Sequence, residues 1–147
     1  MDLTIKLDSA TLNIRVAVIL KNKNGYIFEK HKSGYIFAIG GRVKLGESSL
    51  QAAHRELKEE LLISDKNYNI ELKYKAIIEN FYTNANEEMH EICFVYEATN
   101  IYDNVLREEL FIEVDSLDFA KHDIRPIELI DITNDKSGEF RNVVVGK

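Results

Sequence analysis

The chain has 147 residues, 45% hydrophobic and 30% charged, enough for one compact domain with a core of its own. A net charge of −6 argues against a surface that tracks polymeric nucleic acid, which wants a basic face, but not against a small phosphorylated ligand, because a bound cation reverses the local field. No apolar run approaches the roughly 18–20 residues of a membrane helix, so no membrane partner is expected. The one cysteine, Cys93, leaves no internal disulfide.

The N-terminal "MDLTIKLDSATLNI" lacks a basic stretch followed by an apolar one, so no secretory signal is expected. With the single cysteine, this gives an expectation of a reducing, cytoplasmic setting. Leu12 to Leu20 alternates and then becomes continuously apolar and β-branched, the pattern of a strand buried on both faces for much of its length. Arg15 interrupts that strand and wants an anionic partner, either a phosphate or a structural carboxylate. Asn24-Gly25 is a hairpin signal ahead of a strand at Tyr26–Lys30. "SGYIFAI" reads as another short strand, ending at Gly40-Gly41.

A helix follows. Ser48 and Gln51 form a capping-box pattern, and Leu50, Ala53, Leu57 and Leu61 recur at helical spacing. The helix is therefore predicted from about Ser49 to Leu61, with those four residues on the buried face, Glu56 and Glu60 beside it, and Glu59 further round. Two long strands are predicted near Tyr68–Tyr82 and Glu91–Ala98, joined by the polar loop "TNANEE". Cys93 in "EICFVYEA" reads as a buried small residue. "ELFIEV" is a further strand, and "RPIELIDI" a short helix with Pro126 at its first turn. The last fourteen residues, "NDKSGEFRNVVVGK", read as a polar tail with a small apolar patch. The order of elements suggests a single domain spanning 1–147, of α/β class, with helices layered on a mixed sheet. His31, His54 and His122 show no ligand spacing.

The crowding of Glu56, Glu59 and Glu60 late in the helix is locally unfavourable. It opposes the helix dipole and sets like charges at i, i+4, costing about a few tenths to 1 kcal/mol. A charge-rich run is ordinarily a solvated face. A hard divalent cation offers another explanation: Mg²⁺ or Mn²⁺ takes several oxygen ligands at about 2.0–2.2 Å, and carboxylates at i, i+3 and i+4 can converge on one. Gly40-Gly41 would allow close backbone approach and a carbonyl ligand.

The stretch Gly41 to Ile63 resembles the Nudix box, G-x5-E-x7-R-E-U-x-E-E-x-G-U with U a bulky aliphatic residue. Gly41 opens it, Glu47 follows, and then come Arg55-Glu56-Leu57, Glu59-Glu60 and Ile63. Leu62 stands where the pattern has glycine, and Ile39 where many members have proline before the glycine pair. The box covers 23 of the 147 residues. The resemblance implies a Nudix-like α/β/α sandwich with a central mixed β-sheet. It implies Mg²⁺-dependent (or Mn²⁺-dependent) hydrolysis of a nucleoside diphosphate linked to another moiety, a small nucleotide-derived substrate, and by analogy a homodimer.

Carried over position by position, the resemblance makes Glu56, Glu59 and Glu60 metal ligands, with the carbonyl of Gly40 or Gly41, and gives Glu47 an outer role. Arg55 would orient a neighbouring glutamate. The general base would be Glu56, or Glu108 or Glu109 from the loop before "ELFIEV". Phe81, Tyr82 and His90 would line a base- or sugar-binding cleft. Leu62 replaces a helix-terminating glycine, so a different C-cap with little chemical consequence is expected. Two other functions stay open: a nucleotide- or sugar-nucleotide-binding module that does not cleave its ligand, and a structural domain with a solvated acidic helix.

Overall fold

The structure, a computed structural model, describes residues 1–147. It has strands β1 Thr4–Leu7, β2 Ala10–Ile19, β3 Lys21–Asn22, β4 Gly25–Lys30, β5 Ile36–Arg42, β6 Leu72–Asn84, β7 Glu87–Ala98, β8 Phe111–Val114 and β9 Arg141–Val145. Helix α1 is Ser49–Leu61 and α2 is Glu128–Asn134. The strands form one mixed sheet of order β3-β4-β5-β2-β7-β6-β9, with β1 on β2 and β8 on β4. At its centre β2 runs antiparallel to β5 and parallel to β7.

The pleat of β2 explains the layering, because successive side chains point to opposite faces. Val16, Val18 and Leu20 join Ala52, Ala53 and Leu57 of α1 in one core. Ala17 and Ile19 face the other way and pack in a second core with Leu129 and Ile132 of α2. The chain is an α/β protein with a helix on each face of a mixed sheet, and β2 is buried on both faces as expected. Burying each large aliphatic side chain contributes roughly 1.5–3 kcal/mol.

Helix α1 has the predicted limits. Its N-terminus is closed by the capping box: the Ser48 hydroxyl accepts from the Gln51 backbone N–H at 3.1 Å, and the Gln51 amide oxygen accepts from the Ser48 N–H at 2.9 Å. The buried face differs from the predicted stripe. Leu50 is 42% exposed, while Ala52 and Glu56 are buried beside Ala53 and Leu57. The helix is therefore rotated to carry a carboxylate inward.

At the other end Leu62 caps the helix in the left-handed region, φ 54°, with its N–H bonded to the Lys58 carbonyl. The cap has the geometry glycine would supply, made by an L-residue at a cost of about 1–2 kcal/mol. Leu62 is 71% exposed and returns little through burial. Leu62→Gly is thus expected to raise stability by about 0.5–1 kcal/mol after the loss of chain stiffness, or about 1–4 °C in Tm by circular dichroism. A lower Tm would contradict this account of the cap.

Three other elements depart from the sequence reading. The "TNANEE" segment is a two-residue turn at Ala85 and Asn86, both with positive φ, so the flanking residues belong to β6 and β7. Pro126 stands ahead of α2 rather than in its first turn. The polar C-terminal stretch contains β9, which pairs in parallel with Ala76–Asn80 of β6 and sends Val143 and Val145 against the α2-side core. A nine-stranded sheet with an apolar face needs its outer strand covered, and these valines do that.

Candidate active site

The site is built where β5 runs into α1. Gly41 lies in register opposite Val16, and Gly40 opposite Ala17. A Cβ on Gly40 would stand 2.0 Å from the Val16 carbonyl oxygen, and one on Gly41 2.2 Å from Glu56 Oε1. The two glycines therefore do different jobs. Gly40 permits strand pairing, and Gly41 leaves room for the inward carboxylate of α1, which is why Glu56 is only 8% exposed. Gly41→Ala should displace a side-chain tip rather than backbone. It is expected to keep the fold and lose on the order of 10²-fold in turnover, as misplaced reacting groups do. Gly40→Ala should instead lower Tm. Equal effects of both on Tm would contradict the distinction.

Arg55 organises the glutamates. Its Nε and Nη2 fork onto the two carboxylate oxygens of Glu47 at 2.7 and 2.9 Å. Its Nη1 donates to Glu56 Oε1 at 3.0 Å and to Glu59 Oε2 at 3.3 Å, and Nη2 also donates to the Arg42 carbonyl at 2.9 Å. Glu47 Oε1 accepts as well from the Lys44 N–H at 3.0 Å. The Arg55, Glu47 and Glu56 side chains are 20%, 16% and 11% exposed, so these ion pairs are shielded from water in a way surface pairs are not.

The electrostatics follow from that packing. The Arg55 fork holds the Glu47 carboxyl below its usual value, and Glu47 in turn raises Arg55. Burial pushes the Glu56 carboxyl up, and the Arg55 guanidinium only partly opposes it. Glu29 of β4 faces the same region. Burial, and then the neighbouring Glu60 and Glu56, push its carboxyl up to about 8.

The other sequence candidates are distributed more widely. Glu59 and Glu60 stand on α1 with Glu56 as expected. Glu108 and Glu109 are exposed, and neither side chain makes a hydrogen bond or ion pair; from that loop it is the Arg107 guanidinium that reaches α1, at the Glu60 carbonyl. Phe81 and His90 are register partners on β6 and β7 with rings 4.2 Å apart. They line a groove of about 590 Å³ with Leu7, Leu12 and Met89, and no glutamate of α1 lines it. Tyr82, one residue on and in register with Met89, lines the same groove; burial, then Glu91, raise its hydroxyl. Arg15 lies in register opposite Arg42, and neither guanidinium makes an ion pair.

Three residues of the site carried no signal in the motif: Glu29, Arg42 and Arg107. Glu29 was findable in principle. In "GYIFEK" it shares a strand face with Ile27, so an acid stands at an inward position.

The oxygen-rich set fits a hard divalent cation. Glu56 is a buried carboxylate only partly compensated, and Oε1 of Glu29 is buried with no hydrogen-bond partner, both of which a cation would satisfy. As the side chains lie, no group of three or more His, Cys, Asp or Glu converges closely enough to hold a metal ion. Mg²⁺ usually keeps waters and substrate phosphates among its ligands and so draws on few side chains. No helix is long and apolar enough to cross a membrane.

A search of curated protein sequences finds no match. Solved structures do match in fold. The Mutator MutT protein from Bacillus halodurans superposes with a TM-score of 0.64 at 17% identity, over 82% of this chain and 80% of that one. The Ap4A hydrolase of C. elegans gives 0.58 at 17% identity, over 83% and 93%. An ADP-ribose pyrophosphatase from Streptococcus suis gives 0.55 at 11% identity, over 88% and 98%. The family profile described as NUDIX domain matches residues 11–134. The chain belongs to the NUDIX domain family.

Proposed function

We propose that this protein hydrolyses a nucleoside diphosphate linked to another moiety, with Mg²⁺ (or Mn²⁺) as cofactor. The observation that carries the reading is the Arg55 brace, which ties Glu47, Glu56 and Glu59 together and shields Glu47 and Glu56 from solvent. A solvated acidic helix would need no such brace. Glu56, Glu59 and Glu60, with the Gly40 carbonyl, would hold the cation, and Glu47 would act on it through Arg55. When bound, the cation neutralises phosphate charge and acidifies a water.

Between the candidate bases, Glu56 has the better support. It faces inward with its carboxyl raised by burial, whereas Glu108 and Glu109 are exposed. The water oxygen bonds to phosphorus, the anhydride P–O bond breaks, and the proton leaves by way of the carboxylate. Arg15 and Arg42, like charges in register on β2 and β5, fit a substrate phosphate between them, since such a pair is unfavourable without an anion.

The structural matches include an Ap4A hydrolase and an ADP-ribose pyrophosphatase, and at their low identities they convey the fold alone. The test is a panel of nucleoside triphosphates, ADP-ribose, dinucleoside polyphosphates and nucleotide sugars, read as phosphate released with added phosphatase. Mg²⁺-dependent turnover of at least one, lost in Glu60→Gln, is the expected result. Absence of turnover on all of them would overturn the hydrolase reading, and thermal stabilisation by a nucleotide without product would favour a binding module.

A further inference from the structure

In the whole molecule one buried side-chain polar atom has no hydrogen-bond partner, Oε1 of Glu29. Buried carboxylate oxygens are almost always satisfied, so this one calls for an explanation. Glu29 is the fifth residue of β4, on the face that Ile27 presents to the core beneath α1. Its register partners are Phe37 on β5 and Phe111 on β8, so its flanks are apolar. No lysine or arginine forms an ion pair with it. The groups its carboxyl meets are Glu60, in contact, and Glu56 close by, with Arg15 the opposing charge.

Strand β4 thus aims an acid at the acids of α1, from a different element and outside the 41–63 stretch. A cation between Glu29 and Glu60 satisfies both carboxylates and removes their repulsion. The end of α1 is held in place for this, because Arg107 grips the Glu60 carbonyl.

We propose that Glu29 is a fourth carboxylate ligand of the divalent cation held by Glu56, Glu59 and Glu60, supplied by the sheet rather than by the helix. The inference rests on the metal-dependent function proposed above. It makes the cation a clamp between α1 and β4, so metal binding stabilises the fold as well as serving the reaction.

The test uses Mn²⁺ alone, followed by electron paramagnetic resonance of the free ion, and the Mg²⁺-induced rise in Tm, in wild type, Glu29→Gln and Glu60→Gln. Glutamine preserves shape and removes charge, so the metal-free Tm of Glu29→Gln should equal or exceed that of wild type. Its Mn²⁺ affinity should fall roughly tenfold or more, and its Mg²⁺-induced Tm rise should shrink. Glu29→Asp, which keeps the charge on a shorter arm, should fall between. Wild-type Mn²⁺ affinity in Glu29→Gln, with loss in Glu60→Gln, would overturn this inference and leave the metal-dependent reading standing. Absence of Mn²⁺ binding to wild type would overturn both.

Discussion

Glu56→Gln is expected to lower kcat by roughly 10²–10⁴-fold, equivalent to about 3–5 kcal/mol of transition-state stabilisation. The substitution is close to isosteric. The amide oxygen can still accept from Arg55 Nη1, and the space over Gly41 still accommodates the side chain. What is lost is the negative charge for the cation and the capacity to take a proton. Because burial already works against the charge at this position, the neutral side chain should not destabilise the fold. Turnover and Tm measured on the same preparation separate the two effects. Unchanged kcat would remove Glu56 from the chemistry, and a collapsed Tm would show that its role is structural.

Arg55→Ala should give the largest loss of stability of any substitution at the site. Five hydrogen bonds go at once, and Glu47 and Glu56 are left shielded without their counter-charge. Removing one partner of a buried pair costs 3–5 kcal/mol in the limit; with side chains still partly exposed, about 2–4 kcal/mol is expected, or roughly 5–15 °C in Tm. Turnover should fall as well, since Glu56 loses the group that orients it. Arg55→Lys keeps the charge but not the planar fork and should fall between alanine and wild type in both measurements. An alanine variant with wild-type Tm would show that the brace is a surface feature.

Much of this site was legible because it is local. The helix limits follow from Ser48, Gln51 and the leucine spacing, and the fixed offsets from Gly41 through Glu47 to Glu60 single out the helix carboxylates. What escaped depends on other elements. The rotation of α1 that exposes Leu50 and buries Glu56 is set by the bare backbone of Gly41 below it, which helical periodicity does not see. Glu29 becomes part of the site only when β4 is brought beneath the end of α1. The strand β9 was hidden because "RNVVV" is short, and its pairing partner, β6, lies more than sixty residues earlier. The turn at Ala85 and Asn86 lacks the Asn-Gly order that marks such turns, so both strands looked as if they stopped short of it.

The central claim is that the glutamates of α1 hold a divalent cation on which hydrolysis depends. Turnover across the substrate panel, measured on wild-type protein before and after metal removal by chelation and then with Mg²⁺ restored, tests it most directly. The expected result is turnover that falls to background on chelation, returns with Mg²⁺ or Mn²⁺, and does not return in Glu60→Gln. Turnover that survives complete removal of divalent metal would contradict the claim.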